Sequence, residues 1–428
     1  MRYTVPSSIP RPQLLSGIHG LRGVAALAIV AYHLNQISRI PLPRPLAFVG
    51  WEFGHAVHLF FVISAFSLLH SHRRNTSAPD WMVEYGIRRF FRIAPLFYAA
   101  LVWYLVFYAT SFERRYTPTD VALNFGFLFN LTGSHGSSLV WAGWTIGVEA
   151  LFYLLFPAMV LVIRTRLATL VALAGTCAVG YGAHLAIAHA SSERDAYVAF
   201  PSNLGVFVFG FLGYRIYTDP RWARWLEHRL LPGAALALLA GLCLGGKELR
   251  APGRPDVFLW AAGFAVLCAT QARRPSKLLE NRFLAYAGDR SFSVYLVHPQ
   301  VLFFLGPWLE RGFAAAAPWI GAYAFLPCLL VATGVTLAVA EVTHRSIEAP
   351  GIRAGRWLIE RRRMARAGGI PRRSVRQFAR AISFIARPIF FRLPLLISRS
   401  SSIAASAIAS PTTPSGSRPS SPRSTHAS

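Results

Sequence analysis

Ten apolar runs dominate this 428-residue sequence, and each is close to the 20 or so residues that a helix needs to cross a bilayer. They fall near residues 17–36, 50–70, 90–110, 143–163, 167–189, 200–217, 230–246, 256–271, 291–310 and 319–342. Hydrocarbon offers no partner to a backbone N–H or C=O, so runs of this kind fold as helices that satisfy themselves. Hydrophobic residues make up 54% of the chain and charged residues only 14%, too few charges to coat several water-soluble domains. The sequence therefore predicts an all-α fold, a polytopic transmembrane helix bundle of about ten spans. The apolar stretch 121–132 (VALNFGFLFNLT) is too short to cross and reads as a re-entrant or interfacial piece.

The net charge of +26 does not point to nucleic acid as a partner. From Arg353 onward the chain carries fifteen arginines and one acidic residue, Glu360. Most other basic residues sit between apolar runs, where they set orientation and meet anionic lipid headgroups of the bilayer. One set of span ends holds eighteen Arg and Lys, from Arg2 and Arg11 to Arg282 and Arg290, and the other holds nine. The richer set is expected inside, with both termini cytoplasmic. Residues 1–350 read as the membrane domain. Residues 351–399 read as a basic amphipathic segment on the inner membrane face, and residues 400–428 as a disordered Ser/Pro-rich tail.

Cys177, Cys243, Cys268 and Cys328 all lie in apolar runs without metal-binding spacing, so they read as small core residues and no metal site is expected. Ionisable groups inside spans are costly and mark functional positions. Arg22 and His33 are eleven residues apart in LRGVAALAIVAYHL, close to three turns. They share one helix face about 16 Å apart along the axis. A snorkelling arginine and an interfacial histidine would give the same pattern. Glu149, with Tyr153 one turn on, falls at a depth similar to His33, where a carboxylate orients an imidazole or pairs with an arginine to hold helices together. Arg89 and Arg92 in RRFFRIAP are neighbours on a helix surface, suited to phosphate or to plain positive-inside topology. His58 is polar in an otherwise apolar run. Ser291, Tyr295 and His298 form a polar stripe that should face the bundle.

Together these segments resemble the acyltransferase 3 family of bacterial multi-span membrane O-acyltransferases, over roughly residues 16–350. The resemblance rests on Arg22–ten residues–His33, VHLFFVISAF at 57–66, RRFFRIAP, WTIGVEALFY with Trp144, Glu149, Phe152 and Tyr153, SFSVYLVHP with His298, and RSIEAP with Glu348. Three positions depart from the family's usual pattern: Ala65 stands for Gly, and His58 and His19 stand where acidic residues are frequent. The resemblance implies a multi-pass protein of the bacterial inner membrane. It implies acyl-CoA as cytoplasmic donor substrate, no cofactor, and a carbohydrate or glycolipid hydroxyl as acceptor. In that reading His33 is general base or transient acyl carrier, Glu149 tunes it, and Arg22, Arg89 and Arg92 bind donor phosphates or stabilise an oxyanion. His58, Tyr153, Ser291, Tyr295, His298 and Glu348 support the site. The rival reading is a multi-span transporter or glycan exporter, in which the same groups form a proton or substrate path. Oligomeric state is not legible in the sequence.

Overall fold

The computed structural model describes residues 15–75, 80–131, 138–228, 230–245 and 251–366. Among these, every regular element is helical. Eleven long helices carry the fold: α1 (Ser16–Ile37), α2 (Ala56–Asn75), α3 (Trp81–Ser111), α4 (Trp144–Val162), α5 (Arg166–Ala190), α6 (Phe200–Thr218), α7 (Leu230–Gly245), α8 (Asp256–Arg273), α9 (Ser291–Ile320), α10 (Phe325–Thr343) and α11 (Ala349–Arg366). Each of the ten apolar runs has a helix, α1 to α10. By length and hydropathy alone, seven stretches of the described residues qualify as spans, or eight if the bent pair Pro220–Glu227 and Leu230–Gly245 counts as one. The last of these stretches, Ser291–Arg366, holds three long helices, α9 to α11.

Helices that are apolar all round belong at the centre of a bundle or against lipid, and burial separates the two cases. Most of α6 is buried, whereas α5 buries few of its residues and faces outward. A ladder of rings locks α6 between α2 and α4: Phe207 stacks on Phe61 at 4.6 Å and on Phe152 at 3.9 Å. The approach of α2 to α6 depends on Gly210, where an added Cβ would lie 2.6 Å from the Ala65 Cβ and 2.5 Å from the Val62 carbonyl oxygen. A glycine on α6 thus makes room for the Ala65 methyl group.

The 121–132 stretch forms an eight-residue helix, Pro118–Phe125, and a short turn, Phe129–Leu131. At 1.5 Å per residue that helix is about 12 Å long, too short to cross. A capping box between Thr117 and Asp120 starts it. The Asn130 side chain then donates to the Val198 carbonyl at 2.6 Å. Gly147 on α4 lets this turn approach, because a Cβ there would lie 2.0 Å from the Asn130 Oδ1.

The chain continues from α10 into α11 through a single π-helical turn, His344–Glu348. Arg363 on α11 grips the Glu84 carboxylate with two hydrogen bonds of 2.5 and 2.6 Å, and Arg366 pairs with Asp80. Residues 351–366 of the expected basic surface segment therefore form a helix tied to the start of α3. The rest of that segment and the Ser/Pro-rich tail lie outside the described residues.

Candidate active site

One cavity opens among α1, α2, α3, α4 and α9. Arg22, Arg89, Arg92, Glu149, Tyr153, Ser291 and Tyr295 all line it. Sequence reasoning picked these seven from spans more than 200 residues apart, and the fold brings them to one place. The ring ladder explains part of this convergence. Side chains three residues apart on a helix are neighbours. Phe61 therefore carries Ser64, and Phe152 carries Glu149, to facing positions when both rings pack on Phe207.

Ser64 is the residue that sequence reasoning missed. Its hydroxyl donates to the Glu149 carboxylate at 2.7 Å and lies 3.2 Å from the Tyr153 hydroxyl. Tyr153 donates to the same Glu149 oxygen. The one signal available was its place in the same span as His58, six residues further on. Serine is too common in spans for that to stand out.

The three arginines are held differently. Arg22 donates to the Ser291 hydroxyl at 3.1 Å. Arg89 lies over the Tyr153 ring, 5.6 Å from its centroid. Arg92 reaches Glu348 at 2.5 Å. Glu348 is 1% exposed and also accepts from Ser293 at 2.6 Å, with the His344 Nδ1 at 3.0 Å. The Arg89–Arg92 pair is thus not two equal free forks: one is committed to a carboxylate. Glu348 itself stands behind Arg92, outside the cavity lining. The Nε atoms of Arg22 and Arg89 are buried with no hydrogen-bond partner among the described residues. Three guanidinium groups against the carboxylates of Glu149 and Glu348 leave one positive charge in excess.

His33 and His298 are brought together, but away from that cavity lining. The His298 Nε2 is 3.1 Å from the His33 Nδ1, and the ring centroids are 4.8 Å apart. Tyr295, which lines the cavity, contacts the His298 ring at 5.6 Å. Glu149 is bonded to Ser64 and Tyr153, and the ring partner of His33 is a second imidazole. His58 faces a different group. Its Nδ1 is 3.3 Å from the His55 Nδ1, and the His55 Nε2 is 3.5 Å from both Glu52 and Asp256. Asp256 in turn is held by Arg254 at 2.9 Å. No group of three or more His, Cys, Asp or Glu among the described residues has the arrangement to hold a metal ion.

A helical bundle with arginines and a carboxylate converging inside its apolar spans defines a multi-pass membrane protein with a polar site within the bundle. The model of the acyltransferase 3 family, described as an acyltransferase domain, matches residues 15–341, and the chain belongs to that family. It is similar to the O-acetyltransferase OatA of Staphylococcus aureus, 23% identical over 372 residues that cover 79% of this chain and 57% of that one. It is also similar to the putative peptidoglycan O-acetyltransferase YrhL of Bacillus subtilis, 25% identical over 377 residues, 78% of this chain and 54% of that one. A shorter match, 29% over 163 residues, links 34% of this chain to 24% of the peptidoglycan O-acetyltransferase OatA of Listeria monocytogenes. The chain spans little more than half the length of the first two relatives. No solved structure matches it.

Proposed function

We propose that this protein is a membrane O-acyltransferase that moves an acyl group, acetyl above all, from acyl-CoA to a hydroxyl of a surface or exported glycan. The observation that carries this reading is the convergence of Arg22, Arg89 and Arg92 with Glu149 on one cavity. An excess positive charge inside an apolar bundle favours an anionic ligand, and guanidinium forks suit the phosphates of CoA. Family membership supplies the reaction type, and the relatives' names supply O-acetylation and peptidoglycan as the nearest guide to the acceptor. A transporter would use the same buried charges, but membership of an acyltransferase family favours covalent transfer.

In the bacterial inner membrane the excess of basic residues at one set of span ends supports cytoplasmic termini. Arg22, Arg89 and Arg92 then lie toward the side where acyl-CoA is made. His33 lies about three turns further along α1, a distance of about 16 Å, which suits an extended pantetheine arm. His33 takes the proton of the acceptor hydroxyl as that oxygen attacks the thioester carbonyl. The arginines hold the phosphates of CoA at the other end of the pantetheine arm while this happens. The C–S bond breaks, CoA leaves as its thiolate and then takes up the proton, and the acyl ester is formed.

Glu149, in this reading, holds Ser64 and Tyr153 at the cavity wall beside the donor. Replacing Ser64 with alanine removes a hydrogen bond to a charged group, worth about 1.5–3 kcal/mol. It is expected to lower kcat/KM by roughly 10- to 100-fold on that scale, while Ser64→Thr keeps most activity. Steady-state rates of both variants at matched protein levels check this.

The test of the function itself uses purified protein in lipid nanodiscs with radiolabelled acetyl-CoA. Release of CoA with label transferred to added peptidoglycan fragments or other glycan acceptors is expected. Absence of both CoA release and label transfer, from protein that is folded and monodisperse, overturns the reading. In cells, reporters fused after Arg92 and after Arg274 are expected to read cytoplasmic, and one beside Arg114 periplasmic. The inverse pattern removes the donor side assigned to the arginines.

A further inference from the structure

The two imidazoles of the His33–His298 pair are arranged so that only one placement of protons satisfies both. His298 lies on α9, fully buried at 0% exposure, with its Nδ1 3.3 Å from the Val294 carbonyl oxygen. The His33 Nδ1 is 3.1 Å from the Ile29 carbonyl oxygen and 3.1 Å from the His298 Nε2. A carbonyl oxygen only accepts, so a ring nitrogen facing one is satisfied when it carries a hydrogen.

Suppose that the His298 Nε2 carried the proton and donated to His33. The neutral His298 would then present a lone pair at Nδ1 to the Val294 oxygen, and His33 would present its own Nδ1 lone pair to the Ile29 oxygen. Each is an acceptor facing an acceptor, fully buried at His298 and half-buried at His33, and an unmade buried hydrogen bond costs on the order of 1–3 kcal/mol. The reverse placement meets every requirement. The His298 Nδ1–H donates to Val294, its Nε2 lone pair accepts from the His33 Nδ1–H, and that hydrogen is shared with Ile29. The carboxylate of Glu149 is bonded to Ser64 and Tyr153, so an imidazole stands where a carboxylate was expected to orient the ring.

We infer that His298 is a positioning residue that fixes His33 in its Nδ1–H tautomer and leaves the His33 Nε2 as the atom that takes the acceptor proton. This rests on the assignment of His33 as general base in the proposed function. The chemistry is that of a ring held from behind: the hydrogen bond at one nitrogen decides which other nitrogen is basic. His298 reaches no substrate in this scheme and acts only through His33.

The experiment has one arm that reads the ring and one that reads the rate. The full chain has 13 histidines, so 15N-histidine-labelled protein in nanodiscs is compared with His33→Ala to assign the His33 signals. Nitrogen–proton correlations then report the tautomer. The wild type is expected to show His33 protonated at Nδ1. His298→Phe, which offers no acceptor, is expected to show a mixture of tautomers. His298→Gln, whose side-chain oxygen accepts, is expected to keep the wild-type form. In turnover, His298→Phe is expected to lower kcat by about 10- to 100-fold, on the scale of losing a group that orients a metal-ligating imidazole, with the donor KM within two-fold. His298→Gln is expected to restore most of the rate. A wild-type His33 protonated at Nε2, or a His298→Phe variant with unchanged kcat, overturns the inference. The spectrum of the wild type needs no variant to fold. If His33→Ala is itself fully active, the general-base assignment fails, whereas the wild-type spectrum still decides the tautomer.

Discussion

Replacing His33 with alanine is expected to abolish acyl transfer while the protein still inserts and folds. His33 is half-buried, and its polar partners are the Ile29 carbonyl and His298. Alanine there removes an imidazole without leaving a buried charge unpaired, and the cost is the hydrogen bond to His298, about 1–3 kcal/mol. General acid–base catalysis contributes about 10²–10⁴-fold, and a loss in that range is expected in kcat with the donor KM little changed. The comparison needs purified variant and wild type at equal concentration, with size-exclusion profiles to show equal folding. Activity within a few-fold of wild type would remove His33 from the chemistry and direct attention to Ser64 and Glu149 in the cavity.

Loss of Arg92 is expected to do two separable things. Glu348 is almost fully buried, and Arg92 is its strongest partner. Removing one member of a buried pair strands the other charge, at a cost of about 3–5 kcal/mol. Arg92→Met should therefore lower the thermal midpoint in detergent markedly. The double variant Arg92→Met/Glu348→Gln neutralises the stranded charge and keeps acceptors for Ser293 and His344, so stability should largely return. The donor KM should stay high in both, because the guanidinium is missing from both. If the double variant recovers donor affinity together with stability, Arg92 is a structural residue and the CoA phosphates are bound elsewhere.

The spans were legible because an apolar run of bilayer length carries its own evidence. The expected 17–36 became Ser16–Ile37, and 200–217 became Phe200–Thr218. Ends were misjudged where helices run past their apolar part. The expected 90–110 begins nine residues earlier, at Trp81, since the first turns of α3 are amphipathic and bond to α11 through Glu84. The expected 291–310 runs on to Ile320 through Pro307 and Pro318. Prolines read as breaks in water are tolerated in a bundle where neighbours re-satisfy the freed carbonyls.

The candidate site was legible for a related reason. Arg22 and Glu149 stand out as charges in apolar surroundings, where they are costly, and Arg89 and Arg92 as a neighbouring pair on a helix surface suited to phosphate. Pairings were not legible. His33 and His298 are 265 residues apart in sequence, and depth within a span cannot say which helices touch. Depth placed Glu149 level with His33, whereas the stacking of Phe61, Phe207 and Phe152 sent it to Ser64. Serine costs little in a span, so nothing in the sequence set Ser64 apart.

The π-helical turn at His344–Glu348 acts as a phase shifter for everything after it. In an α-helix each residue advances the face by about 100°, so one residue more or less in this turn would rotate α11 by more than a quarter circle. Glu348 would swing away from Arg92 and Ser293, and Arg363 from Glu84, although no contact residue had been altered. The last helix is therefore addressed by counting as much as by composition. Length changes between Thr343 and Ala349 should be far less tolerated than substitutions at its exposed arginines, and a compensating deletion and insertion flanking the turn should restore what either alone destroys.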